Sequence, residues 1–150
     1  MHQNNRKDDC SGLFLSITEK KKKRTPELDC FGVFCFIGVC MLVSFDFDDT
    51  LIIHDVDQDY SYPNMEMINK LKEYVKNGDK VVIVTTRFAE HKQEVVDFVK
   101  LYELPVDSIY CTDHSWKRNT LKRLGVEIHY DDNKDEIRRL KHTKVKGFLV

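Results

Sequence analysis

The chain has 150 residues, of which 41% are hydrophobic; this is enough for one buried core and favours a single domain. A formal net charge of −1 excludes a global electrostatic field that would by itself attract nucleic acid or an anionic membrane. The five cysteines include no C-x-x-C pair and no histidine at metal-ligand spacing, so we expect reduced thiols in a cytoplasmic protein rather than a zinc site or disulfides.

Residues 1–40 differ in composition from the rest of the chain. They begin with a polar stretch ending in the basic run Lys20–Arg24, which is typical of a solvated tail but also fits a nuclear signal or a nucleic-acid contact. The apolar segment 30–45 has sixteen residues, fewer than the roughly twenty needed to cross a bilayer, and its last residues are required for a strand. We therefore predict an irregular or disordered extension over 1–40, with a membrane anchor as the less favoured alternative, and a folded domain over 41–150.

From residue 41 onward, short β-branched runs alternate with segments of helical periodicity. Asn64 and Asn133 fit helix N-caps, and Gly78 and Gly125 fit helix ends. The predicted strands are 42–45, 80–84, 108–111, 126–130 and 147–150, and the predicted helices lie between Asn64 and Gly78, through 95–102, over 116–124 and after Asn133. This alternation predicts an α/β fold, a doubly wound and mostly parallel five-stranded sheet with helices on both faces.

Polar side chains follow several of the predicted strands, at the edge where ligands bind in such sheets. The first strand leads into Asp46 and Asp48, and the second into Thr85, Thr86 and Arg87. The fourth strand is followed by Asp131 and Asp132, and Lys117 lies near the start of the helix before it. The sequence therefore predicts that carboxylates, hydroxyls and cationic side chains converge at one edge of the sheet.

Crowded carboxylates are tolerated when a hard divalent cation lies among them, so this set of side chains predicts a Mg²⁺ site. A phosphate group would bind that metal and would also need donors, for which Thr85 and Lys117 are candidates. One carboxylate can attack phosphorus and form an aspartyl-phosphate, and a neighbour two positions later can transfer the proton. The predicted chemistry is the hydrolysis of a phosphate monoester.

The segment DFDDTL, residues 46–51, resembles the first motif of the haloacid dehalogenase (HAD) superfamily, D-x-D-x-T-L after a hydrophobic strand. Thr85, Lys117 and the pair Asp131-Asp132 resemble its second, third and fourth motifs, in family order over residues 41–150. The resemblance implies a Rossmann-like HAD core acting as a Mg²⁺-dependent phosphatase.

The resemblance also implies a role for each residue. Asp46 would be the nucleophile and a metal ligand, and Asp48 the general acid/base, with its main-chain carbonyl also on the metal. Thr85 would hold the phosphate, and Lys117 would offset negative charge. Asp131 would complete the metal site, helped by Asp132. Thr86 and Arg87 are further candidates for binding the substrate.

Family members usually carry a cap domain after the first or second motif, but this sequence leaves only about a dozen residues after Ile52 and almost none after Thr85. We therefore expect no substantial cap. An open site suits large substrates, or a partner subunit, such as a second copy in a homo-oligomer, could close it. Nucleotides, sugar phosphates, nucleic-acid ends and phosphoproteins all remain candidates for the phosphorylated substrate, and no sequence feature singles out nucleic acid.

Alternatives remain for the function and for single residues. A phosphoacceptor receiver domain is disfavoured because its lysine follows its other site residues, whereas Lys117 precedes Asp131. A catalytically silent HAD-like binding module stays open, as does a polynucleotide-end phosphatase. Arg87 fits a substrate contact or a solvent-facing side chain, and His54 fits a structural or exposed side chain better than a catalytic one. Core packing is favoured over base stacking for Tyr110 and Trp116, and Lys122 competes with Lys117.

Overall fold

The structure, a computed structural model, describes residues 40–150. The predictions for the basic run Lys20–Arg24, and for almost all of the extension over 1–40, lie outside the described residues. Within 40–150, Cys40 and Cys111 are free thiols. In the same range, no helix is both long enough and apolar enough to pass through a membrane.

Seven strands and four helices follow one another between residues 42 and 149. The strands are β1 (Leu42–Phe45), β2 (Ile52–Asp55), β3 (Tyr60–Pro63), β4 (Lys80–Thr85), β5 (Ser108–Cys111), β6 (Ile128–Asp131) and β7 (Lys146–Leu149). The helices are α1 (Met65–Lys76), α2 (Lys92–Leu101), α3 (Lys117–Leu124) and α4 (Lys134–Arg139), and a 3₁₀ turn at Ala89–His91 precedes α2. The predicted strands and helices are therefore present, with ends shifted by a few residues.

Five of the strands form one parallel sheet in the order β5-β4-β1-β6-β7. Strand β1 lies at its centre, in register with β4 through Phe45 and Ile83 and with β6 through Phe45 and Tyr130. Because all five strands run the same way, their carboxyl ends meet at one edge. The predicted parallel α/β sheet is confirmed.

The helices cover both faces of this sheet. Alternate residues of β4 point to opposite sides, so Val81 and Ile83 belong to one apolar cluster, and Val82 and Val84 to another. The first cluster contains buried side chains of α1 and α2, and the second contains Leu121 of α3 and residues at α4. Strands covered on both faces are apolar throughout, which explains the unbroken run of valine and isoleucine in β4.

The helix ends follow the capping signals in the sequence. The Asn64 side chain accepts a hydrogen bond from the Met67 amide at the start of α1, and the Asn133 side chain accepts from the Asp135 and Glu136 amides of α4. Gly125 ends α3 in the left-handed conformation, with φ of 74°. These local signals fix where α1, α3 and α4 begin or end. They therefore also fix the positions of the side chains in the neighbouring loops.

A β-hairpin, formed by β2 and β3, lies between β1 and α1 and was not predicted. It is a separate two-stranded antiparallel sheet in which His54 pairs with Ser61. Its sequence, IIHDVDQDYSYP, hides the strands because each strand has only four residues and Pro63 lies in the second strand. In the described chain this hairpin is the only regular structure between β1 and α1, which agrees with the expectation of no substantial cap.

Candidate active site

Two acidic residues lie side by side at the carboxyl ends of the central strands. Asp46 directly follows β1, and Asp131 is the last residue of β6, the neighbouring strand. The Asp46 amide donates a hydrogen bond to the Tyr130 carbonyl at 2.9 Å, which continues the pairing of the two strands past the end of β1. Both carboxylates are buried, so the sheet itself sets their separation.

Lys117, the first residue of α3, brings its ammonium group between these two carboxylates. Its Nζ lies 2.7 Å from Asp46 Oδ1 and 2.6 Å from Asp131 Oδ2. Only 1% of the residue is exposed, which is rare for a lysine and requires charged partners. Lys122, its competitor in the sequence, is exposed on the same helix.

Burial and mutual charge control protonation in this cluster. Burial raises the pKa of Asp46 to about 7, the positive charge of Lys117 opposes this, and the charge of Asp131 adds to it. Burial alone would lower the pKa of Lys117, but the two carboxylates outweigh it, so the pKa is raised and the ammonium stays charged. Burial likewise favours a higher pKa for Asp131, but hydrogen bonding from His129 and the charge of Lys117 lower it.

A third carboxylate makes this cluster a candidate metal site. Asp46, Asp131 and Asp132 each place an oxygen within 4.8 Å of the others'. Apart from its ionic contact with Lys117, the buried Asp46 Oδ1 has no hydrogen-bond partner among the residues that the structure describes. Burial and the charge of Asp131 raise the pKa of Asp132, as expected for negative charges that lack enough compensation. Three carboxylates facing one ammonium fit a divalent cation with oxygen ligands, such as Mg²⁺.

We expect Mg²⁺ to raise the melting temperature of the protein, because a ligand that binds only the folded state stabilises it by about 2.7 kcal/mol at a hundred times its Kd. Asp132→Asn should weaken Mg²⁺ binding about tenfold or more, measured by calorimetry at constant pH. Asp135→Asn is the matched control, since Asp135 is exposed nearby and pairs with Arg138. Equal Mg²⁺ affinity in both variants would contradict the site.

A buried histidine beneath the cluster was not predicted. His129 Nε2 lies 2.9 Å from Asp131 Oδ2, and its Nδ1 lies 2.7 Å from the Ser44 hydroxyl. Burial lowers the pKa of His129, so the ring is neutral, donates through Nε2 to the carboxylate and accepts through Nδ1 from Ser44. Because Ser44 is completely buried, this Ser–His–Asp chain holds Asp131 in place and offers no accessible nucleophile.

Glu136 was also missed in the sequence. It is buried at α4, and its carboxylate oxygens lie 3.3 and 3.4 Å from the Lys117 amide. Trp116, at the N-cap of α3, provides no side-chain hydrogen bond, so Glu136 supplies a negative group at that helix start. Burial raises the pKa of Glu136, while the charge of Lys117 opposes the increase.

Asp48 lies apart from this carboxylate cluster and makes different contacts. Arg87 binds its carboxylate through Nε, 2.9 Å from Oδ2, and through Nη2, 2.8 Å from Oδ1. His54 Nε2 lies 3.0 Å from Oδ1. Burial alone would raise the pKa of Asp48, but the hydrogen bonds from Arg87 and His54 outweigh it and lower the pKa. The structure thus shows Asp48 as a paired carboxylate, and a metal contact through its main-chain carbonyl stays a prediction.

The other predicted site residues lie at the end of β4. Thr85 is completely buried, and its hydroxyl accepts a hydrogen bond from the Arg87 amide at 3.2 Å. Thr86 and Arg87 line a cleft of about 470 Å³ together with Asp48, Phe88, His91, Glu94 and His114. Arg87 is not simply solvent-facing, because it pairs with both Asp48 and Glu94. Buried Thr50 has no partner for its hydroxyl among the described residues.

The two aromatic candidates differ in their surroundings. Tyr110 is partly buried and packs against one of the apolar clusters, as expected for core packing. The same prediction is wrong for Trp116, which is 48% exposed because it directly precedes α3 at the surface. The Arg139 guanidinium lies over its ring, 3.5 Å from the centroid.

Comparison with known proteins supports the fold. No protein-family profile matches the sequence, and no curated protein matches it either. Among solved structures, the chain is similar to a chain of the Pnkp1/Rnl/Hen1 RNA repair complex, with a TM-score of 0.60 and 20% identity over 87% of this chain. A second structure of the Pnkp1/Rnl/Hen1 complex gives a TM-score of 0.62 and 18% identity over 91%. This chain spans about half of each of those chains, 47% and 56%, and at this identity the likeness concerns the fold.

Proposed function

We propose that the protein is a HAD-type, Mg²⁺-dependent phosphatase that hydrolyses a phosphate monoester through an aspartyl-phosphate. The observation that carries this proposal is the buried cluster in which Lys117 contacts both Asp46 and Asp131 at the carboxyl edge of a parallel sheet. A purely structural ion pair would not need a third carboxylate, Asp132, beside it. The order of the motif residues along the chain adds support.

In the first step, an oxygen of Asp46 attacks phosphorus, and the bond from phosphorus to the leaving oxygen breaks. Asp48, which is ionised while paired with Arg87, takes up a proton from solvent when the substrate binds and donates it to that oxygen. In the second step, water attacks the aspartyl-phosphate, Asp48 takes a proton from the water, and inorganic phosphate is released with Asp46 restored. Lys117 holds Asp46 in position and balances negative charge. The Thr85 hydroxyl, which is buried and accepts from the Arg87 amide, would have to be uncovered when the substrate binds in order to hold the phosphate.

Mg²⁺ bound by Asp46, Asp131 and Asp132 would neutralise phosphate charge and align phosphorus with the nucleophile. In this scheme, Arg87 binds the substrate phosphate and also controls the protonation of Asp48. A substrate phosphate that attracts its guanidinium would weaken the pairing with Asp48 and so raise the pKa of that carboxyl. Substrate binding would therefore convert a paired carboxylate into a usable proton donor.

A nucleic-acid end is the substrate class that we favour. The similar solved chains belong to an RNA repair complex. Beside Arg87, the cleft carries Phe88, which is 45% exposed and packs edge-to-face with His114 at a centroid distance of 4.5 Å. Exposed aromatic rings stack on bases with about 1–3 kcal/mol each, and an open site without a cap admits a polymer.

The test is phosphate release by the full-length chain from a panel of esters, with Mg²⁺ and with EDTA. The panel contains 4-nitrophenyl phosphate, a nucleotide, a sugar phosphate, a phosphopeptide, and oligoribonucleotides with a 3′- or a 5′-phosphate. We expect Mg²⁺-dependent release that EDTA abolishes, with the highest kcat/KM for one of the oligonucleotides. Absence of release from every ester would instead favour the catalytically silent binding module.

A further inference from the structure

The β2–β3 hairpin presents a histidine to Asp48. His54 lies on β2 and pairs in register with Ser61 on β3. The His54 ring contacts the Ser61 hydroxyl through Nδ1 at 2.7 Å and the Asp48 carboxylate through Nε2 at 3.0 Å. Because an ionised carboxylate only accepts hydrogen bonds, Nε2–H is the donor to Asp48.

The His54 amide donates a hydrogen bond to Asp49 Oδ1 at 3.0 Å, and Asp48 forms a bridge with Ile52 at the start of β2. Within the loop, the Leu51 amide donates to the Phe47 carbonyl at 2.9 Å. The hairpin and the Asp48 loop therefore hold each other through several hydrogen bonds, and the imidazole has a defined place.

Core packing does not explain His54. The residue is exposed, with 38% of its side chain accessible, and it belongs to neither apolar cluster. Strand alternation turns Tyr60 and Tyr62 to the other face of β3, so Ser61 shares a face with His54. The hydrogen bonds of the His54 side chain join the hairpin to Asp48, the candidate proton donor. Substituting His54 would leave no cavity in the core.

The Asp48 carboxylate is bound by the side chains of Arg87 and His54. In the proposed reaction, Arg87 turns from Asp48 to the substrate phosphate. Arg87 binds both oxygens of Asp48 and also contacts Glu94. If Arg87 turns to the substrate phosphate, Asp48 loses its bidentate partner during the step in which its orientation matters most. The contact with His54 does not require Arg87, because it comes from the hairpin. It can persist after Asp48 takes up a proton, because the carboxyl oxygen that carries no proton still accepts from Nε2–H.

We propose that His54, oriented by Ser61, is a positioning residue that keeps the Asp48 carboxyl directed at the leaving oxygen once Arg87 engages the substrate. This inference rests on the proposed phosphatase function. It gives the hairpin, located where other family members insert a cap, a role in proton transfer. His54 itself contacts no substrate atom in this scheme.

Leaving groups of different acidity test this role. Phenyl phosphate needs a proton on its leaving oxygen, whereas 2,4-dinitrophenyl phosphate releases a stable anion. We expect His54→Ala to lower kcat/KM for phenyl phosphate about 10- to 100-fold and to change that for the dinitrophenyl ester less than about threefold. His54→Gln, whose amide nitrogen can replace Nε2, should recover most of the loss, and Ser61→Ala should show a smaller loss of the same selectivity.

His142→Ala serves as the matched control, because His142 is exposed and lies on a cavity that does not include Asp48. If His54→Ala lowers kcat/KM equally for both esters, or for neither, while the wild-type chain hydrolyses both, the positioning role is overturned and the phosphatase stands. If the wild-type chain hydrolyses neither of these esters nor any ester of the panel, the proposed function and this inference are both overturned.

Discussion

Asp46→Asn is expected to lower phosphate-ester hydrolysis by about a thousandfold or more while the protein still folds. The amide has nearly the shape of the carboxylate but cannot form an aspartyl-phosphate. Single-turnover phosphate release with saturating Mg²⁺ measures the loss, and circular dichroism checks the fold. Asp97→Asn, an exposed aspartate on α2, should retain full activity. Substantial activity in Asp46→Asn would remove Asp46 as the nucleophile.

The same substitution should stabilise the metal-free protein at high pH. Burial raises the pKa of Asp46 from 3.8 to about 7, so the folded chain binds a proton there more tightly than the unfolded chain. The stabilisation of the folded chain by this proton is complete below about pH 4 and is lost as the pH rises through about 7. In EDTA above about pH 7, Asp46→Asn should therefore melt several degrees higher than the wild type, and the difference should shrink in acid. Equal melting temperatures at high pH would show that the Asp46 charge is already well compensated.

Lys117→Met should have the largest effect on stability. Methionine has a similar length but no charge, so Asp46 and Asp131 would remain buried without their cationic partner. Breaking a buried pair in this way costs about 3–5 kcal/mol, and protonation of Asp46 should reduce the loss to about 3 kcal/mol near neutral pH. Urea unfolding in EDTA measures the free energy of unfolding, and added Mg²⁺ should restore part of it because it supplies positive charge to the same carboxylates.

Lys122→Met is the control within the same helix, since Lys122 is exposed and lies away from the cluster. It should change the free energy of unfolding by less than about 0.5 kcal/mol and leave hydrolysis unchanged. Activity of Lys117→Met should fall about a hundredfold or more, because Asp46, the proposed nucleophile, loses its fixed position. A Lys117→Met protein as stable as the Lys122→Met protein would mean that the buried contacts carry little energy.

The sheet could be predicted because its signals are local. The run 81–84 (VVIV) is apolar throughout, and Asn64, Gly78 and Gly125 mark helix ends, so each element is visible within about ten residues. Parallel pairing then follows from the alternation of strands and helices, and it brings Asp46 and Asp131 to one edge. The hairpin was missed because each strand has only four residues, and because β2 places two isoleucines side by side instead of alternating apolar and polar residues.

The contacts that tune the site could not be read from the sequence. His129 lies in β6, and its position two residues before Asp131, on the same face of the strand, was the one available signal for a buried partner of Asp131. Glu136 looks like any acidic residue in the first turn of a helix, and only the packing of α4 near α3 directs it to Lys117. The pairing of Arg87 with Asp48 joins residues 39 positions apart and depends on side-chain orientation, which spacing alone does not specify.

The hydrogen bonds between the hairpin and the Asp48–Asp49 loop have a dynamic consequence. The His54 amide binds Asp49 and the His54 ring binds Asp48. The hairpin and the Asp48–Asp49 loop therefore cannot move apart unless both hydrogen bonds break. The two segments should therefore undergo local unfolding as one cooperative unit, with the His54 and Leu51 amides exchanging with solvent deuterium at similar rates. Fluctuations of an exposed hairpin would then determine how often the Asp48–Asp49 loop loses its geometry, even while the parallel sheet beneath it stays intact.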